Sequence, residues 1–140
     1  MRLALRSLLM IPLAVGCGGG EEKNDKTDLG WLVVSAGSQH SCGVATSESI
    51  ECWGKDDDGQ STPPSGSFQS VSAGLYHSCG VTTTGSIECW GADDDGQSTP
   101  PSGSFQSVSV AGGHSCGVTT SGSIECWGYD GDGRATPPEL

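Results

Sequence analysis

Histidine, cysteine and tryptophan recur along this chain at one fixed spacing. The pentapeptide HSCGV begins at His40, His77 and His114, and the tripeptide CWG begins at Cys52, Cys89 and Cys126. The interval is 37 residues each time, without insertion or deletion. Three chemistries are open to such residues. The thiols could pair, or could join the imidazoles in binding a soft metal, with His77, Cys79 and Cys89 as one set of ligands. Zinc knuckles space their cysteines as C-x-x-C, and that spacing is absent here. The chain has 7 cysteines, an odd count. Six fall in the repeats as Cys42 with Cys52, Cys79 with Cys89 and Cys116 with Cys126, and Cys17 is left over. The expectation is three disulfides and no metal. The histidines are expected to be structural, bonding backbone between units, because acid–base catalysis needs one unique arrangement rather than a copy in every repeat. No catalytic residue is assigned. Trp53, Trp90 and Trp127 are expected to be apolar fillers between units.

The acidic runs Asp56-Asp57-Asp58-Gly59, Asp93-Asp94-Asp95-Gly96 and Asp130-Gly131-Asp132-Gly133 raise calcium. That ion takes roughly 6–8 oxygens, and the helix–loop–helix site closes its ligand loop with a glutamate. No such glutamate follows. The runs read as Asx-type turns at a solvated edge, and no cofactor is expected. More informative are positions that differ between otherwise matching copies. Ser38-Gln39, Leu75-Tyr76 and Gly112-Gly113 precede the histidines; Lys55, Ala92 and Tyr129 follow CWG. Loops that vary on a repeated frame are where a binding surface diversifies. Gln39, Tyr76, Lys55 and Tyr129 are the candidate binding residues.

The elements behind these positions follow from the repeat. Residues 31–67 and 68–104 share 28 of 37 positions, so one geometry must serve each copy. In the second copy FQSVSAG (68–74) alternates Phe68, Ser70 and Ser72 with Gln69, Val71 and Ala73, a short strand. SCGVTTTGSIECWG (78–91) is a hairpin whose three-residue loop, Thr83-Thr84-Gly85, ends in a left-handed position that glycine adopts freely. With Thr82 facing Ser86, Val81 faces Ile87, Gly80 faces Glu88 and Cys79 faces Cys89. The cysteines then occupy a non-hydrogen-bonded pair, where α-carbons are about 4.5 Å apart and a disulfide fits. They share a face with Val81 and Ile87. The first copy has Glu48 where glycine is wanted, which calls for strain or a different loop. The Pro63-Pro64, Pro100-Pro101 and Pro137-Pro138 stretches lack backbone donors and serve as extended connectors.

The whole chain has 140 residues and a net charge of −11. Nucleic acid is not an expected partner, because phosphate binding needs lysine and arginine. With 23 glycines and 7 prolines, the composition favours strands and turns. Residues 1–16 begin with Arg2 and Arg6 and continue through a short apolar core, a secretory signal rather than a membrane span. Ala14-Val15-Gly16-Cys17 resembles a bacterial lipoprotein signal, in which Cys17 would receive a lipid. Residues 17–30 form a polar, flexible tether. The expected location is outside the cell interior, held to the outer membrane or cell surface by the lipid alone.

The pattern V-S-A-G, two variable residues, H-S-C, a T-x-G turn, I-E-C-W-G and G-Q resembles the bacterial form of the regulator of chromosome condensation repeat, in the superfamily of beta-lactamase-inhibitor protein II. The resemblance spans about 31–139. It implies an all-β chain of propeller-type blades, here 31–67, 68–104 and 105–140 within a domain at 31–140. It implies no single function, since members include an exchange factor, an enzyme inhibitor and exported proteins. Three blades cannot close a ring that takes roughly 4–8. An open or partial propeller is therefore expected, with self-association or a fragment of a longer propeller as the other readings. Function is expected to be non-catalytic binding of a protein or cell-envelope component. The alternative is a propeller enzyme of the lyase or glycosidase class, for which the repeats offer no unique acid–base pair.

Overall fold

A computed structural model describes residues 30–140; the signal segment 1–16, Cys17 and all but the last residue of the tether lie outside the described residues. Each repeat folds into a three-stranded antiparallel sheet with its strands in chain order. Blade 1 contains β1 (Trp31–Ala36), β2 (His40–Ala45) and β3 (Ile50–Gly54). Blade 2 contains β4 (Phe68–Ala73), β5 (His77–Thr82) and β6 (Ile87–Gly91). Blade 3 contains β7 (Phe105–Val110), β8 (His114–Thr119) and β9 (Ile124–Gly128). The fold is all-β and the stack is open.

The hairpin register is the one read from the sequence. Cys79 faces Cys89, Gly80 faces Glu88 and Val81 faces Ile87, and the other two blades repeat this. The closing pair donates from Thr82 N to Ser86 O at 2.8 Å. Disulfides join Cys42–Cys52, Cys79–Cys89 and Cys116–Cys126, with α-carbons 4.1, 4.0 and 4.0 Å apart. Paired as disulfides, these sulfurs are not available as the thiolate ligands of a metal. Gly85 and Gly122 take the left-handed turn position, each at φ 92°, and Glu48 takes the same position at φ 67°. The first copy thus keeps the loop and accepts the strain of a side chain there.

The first strand of each blade departs from simple alternation. Phe68 pairs with Thr82, but Ser70 pairs with Val81, so Gln69 is an extra residue in the ladder. This bulge shifts the phase of the strand. Phe68, Val71 and Ala73 all turn to the core, at 0%, 6% and 8% exposure, although alternation would put Phe68 on the opposite face. The same irregularity occurs in β1 and β7.

The core lies between blades rather than within them. Cys42, Val44 and Ile50 of blade 1 pack with Phe68, Val71, Ala73 and Trp90. Cys79, Val81 and Ile87 of blade 2 pack with Phe105 and Trp127 of blade 3, joined by Val108 and Val110. Strand β2 therefore lies on β4, and β5 on β7. Each buried large apolar side chain contributes on the order of 1.5–3 kcal/mol, so two seams of this kind hold the stack together.

Candidate binding surface

The hairpin register brings the variable positions together in pairs. Lys55 N donates to Gln39 O at 2.9 Å, Ala92 N to Tyr76 O at 2.9 Å and Tyr129 N to Gly113 O at 2.8 Å. Each blade thus presents one variable pair just beyond the start of its second strand. Tyr76 and Tyr129 line one cleft of 430 Å³ between blades 2 and 3, with Asp58, Ala92, Asp94, Asp95 and Gln97. Gln39 and Lys55 belong to blade 1 and do not line it. Lys55 Nζ instead pairs with Asp57 at 3.2 Å. Arg134, which does not line the cleft, lies 5.2 Å from the centre of the Tyr129 ring, a cation–π contact.

The acidic loops are held by their own first residue. Asp56 accepts from Ser61 N at 2.8 Å and Thr62 Oγ1 at 2.7 Å. Asp93 accepts from Ser98 N and Thr99 Oγ1, and Asp130 from Ala135 N and Thr136 Oγ1. That leaves Asp57, Asp58, Asp94 and Asp95 exposed. Gln60 and Gln97 are buried at 0% and 3%, and their Oε1 atoms accept from Asp58 N and Asp95 N. Their role was not read from the sequence, where they sit inside loops of polar residues; their recurrence at the same place in two copies was the available signal.

The histidines form seams between blades, as expected, but their partners are serine hydroxyls and not backbone. His40 Nε2 lies 2.6 Å from Ser78 Oγ, and His77 Nε2 lies 2.8 Å from Ser115 Oγ. Ser78 donates to Gln60 O and Ser115 to Gln97 O. Each hydroxyl proton is thereby committed, so the imidazole donates and its proton sits on Nε2. Histidine beside serine is the pairing of an activated nucleophile. Here both serines are fully buried, so a substrate has no approach. Burial, seconded by repulsion from His114 and His40 and opposed by Asp93, lowers the His77 pKa to about 4. Burial also lowers that of His40, against the pull of Asp56. Both rings are neutral at pH 7.

Trp90 and Trp127 fill the seams as expected and donate from Nε1 to Gln60 O and Gln97 O, each at 2.9 Å. Trp53 departs from the expectation. Among the described residues no blade precedes it, and it remains 49% exposed, edge-on to Trp31 at 6.0 Å.

The regulator of chromosome condensation (RCC1) repeat family matches residues 33–60 and 68–97. Residues 33–60 and 68–97 are therefore RCC1 repeats, and the third copy follows them at the same 37-residue interval. No curated protein matches it in sequence. Among solved structures it is similar to the ectodomain of the Physcomitrella patens receptor kinase CR4, at 25% identity and a TM-score of 0.64, over 73% of this chain and 30% of the other. It is similar to the CRINKLY WD40 ectodomain of the Arabidopsis thaliana receptor kinase ACR4, at 32% identity and a TM-score of 0.59, over 71% and 36%. Prp20p of Saccharomyces cerevisiae, at 14% identity and a TM-score of 0.63 over 73% and 31%, shares the fold. The chain spans about a third of the length of each. Three disulfides in a chain of this size mark an exported protein. Among the described residues no helix is long and apolar enough to cross a membrane.

Proposed function

We infer that the chain is a non-catalytic protein-binding module on the outer face of a cell membrane, tethered through a lipid on Cys17. The observation that carries this reading is a division of labour. Residues common to the repeats are sealed between blades, while residues that differ, Gln39, Lys55, Tyr76 and Tyr129, stand on the solvent side. The cleft between Tyr76 and Tyr129 combines two aromatic rings with the exposed carboxylates of Asp58, Asp94 and Asp95. That chemistry suits a basic segment of a partner protein or envelope component, with cations over the rings and against the carboxylates.

The test uses fluorescent Lys/Arg-rich peptides titrated against the full chain at physiological salt. Binding is expected to weaken at least roughly tenfold in Tyr76→Ala and in Asp94→Asn with Asp95→Asn. Glu88→Gln with Glu125→Gln, which removes equal charge elsewhere, is expected to change it little. Equal losses from both charge pairs would reduce the effect to net charge and sink the cleft. In cells, Cys17→Ser is expected to release the chain from the membrane fraction; continued retention would remove the lipid from the reading.

A further inference from the structure

The seam between blades is used twice inside the chain, and half of it is left over at each end. Blade 3 carries the outgoing set once more, with His114, Cys116, Val118 and Ile124 at the places of His77, Cys79, Val81 and Ile87. Among the described residues nothing covers it. Ile124 is 47% exposed, whereas Ile50 and Ile87 are 7% exposed. Blade 1 carries the matching incoming set. Val34 is 67% exposed where its counterpart Val71 is 6%, and Trp53 is 49% exposed where Trp90 and Trp127 are 8%. The polar partners are left over in the same way. His40 meets Ser78 and His77 meets Ser115, which leaves His114 at one end and Ser41 at the other. The Trp90 and Trp127 bonds to Gln60 O and Gln97 O leave Trp53 Nε1 at one end and the carbonyl of Arg134 at the other.

Two places depart from the match. Trp31 stands where Phe68 and Phe105 fill the internal seams, a larger ring at the same position of the first strand, and the third copy changes a glycine. A methyl group at Gly37 would overlap the Gly74 carbonyl, and one at Gly74 would overlap the Ala111 carbonyl. The third copy has Ala111 at this place. Its methyl would meet the Gly37 carbonyl of an incoming blade.

We propose that two copies of this chain associate head to tail through the leftover seam, and that Ala111 is the side chain that keeps the contact weak. The occupant is a second copy because the two open faces match in register and, Trp31 and Ala111 apart, in the seam residues named above, and the internal seams are worked examples of the contact. Complementary unlike faces make a heterologous interface, which closes a ring or extends a chain according to its angle. Two copies supply six blades, inside the roughly 4–8 that a propeller ring takes.

Sedimentation velocity of the full chain carrying Cys17→Ser, over a concentration series, tests this. Ala111→Gly is expected to bring on association at a protein concentration at least roughly tenfold lower, by removing an overlap. In that background Val34→Asp and Ile124→Asp, each on an open face and on opposite ends, are each expected to yield single copies. An equal mixture of the two is expected to restore a two-copy species, since each retains the face the other has lost. The proposal fails if Ala111→Gly has no effect, if either charged variant still associates alone, or if the mixture stays as single copies. Intact mass showing six fewer hydrogens than the reduced chain certifies that each variant has formed three disulfides.

Discussion

At the scale of single residues, the histidines set how the molecule responds to acid. His77 is fully buried, and its ring is neutral with a pKa near 4 against an ordinary value of 6.5. Below pH 6.5 the unfolded chain takes up a proton at this residue and the folded chain does not. Stability contributed by the neutral ring is therefore complete above pH 6.5, is lost as pH falls toward 4, and changes no further below that. The loss from His77 alone is on the order of 3 kcal/mol. His40 acts with the same sign. Chemical denaturation of the full chain from pH 7.5 to pH 4 is expected to show this fall, and His77→Gln is expected to flatten it. A stability that holds or rises on acidification would show that the rings are not buried as neutral donors.

At the scale of the element, each blade is a sheet too small to stand alone. Three strands of five or six residues expose one face to the next blade, and a disulfide crosses the second and third strands at the middle of that face. Closing a loop between residues separated by 10 positions lowers the entropy of the unfolded chain by the equivalent of about 2–3 kcal/mol. Replacing Cys79 and Cys89 together by alanine is expected to cost at least that much, because the buried sulfurs also touch the Phe105 seam. The shift in denaturation midpoint reads it. An unchanged midpoint would mean that packing alone holds the blade.

At the scale of the whole molecule, stability runs along one axis. Each blade touches only its neighbours, as in other repeat proteins. The middle blade is covered on both sides, and every residue of β5 is buried, while β1 at the near end is mostly exposed. Charge is spread the other way. The exposed aspartates line the connecting loops, where two tyrosines also gather, and the seams hold the neutral rings and sulfurs. The chain thus keeps its rings and sulfurs in the seams and its aspartates in the loops, and among the described residues both end faces are uncovered.

The sequence by itself determined the blade. A 37-residue period, a three-residue turn ending at Gly85 and cysteines 10 residues apart admit one antiparallel register, so the disulfides and the strand pairs were legible. These are local facts, decided by hydrogen-bond pairing between strands a few residues apart. Three things needed the tertiary structure. The bulge at Gln69 is a backbone response that lets Phe68 reach the seam, and alternation of residue types pointed the other way. The serine partners of His40 and His77 lie 38 positions away, and spacing alone does not tell which neighbour's atom a ring meets. The cleft between Tyr76 and Tyr129 depends on how one blade turns relative to the next. That turn is decided by side chains packing across the seam, which no pairing rule within a single repeat contains.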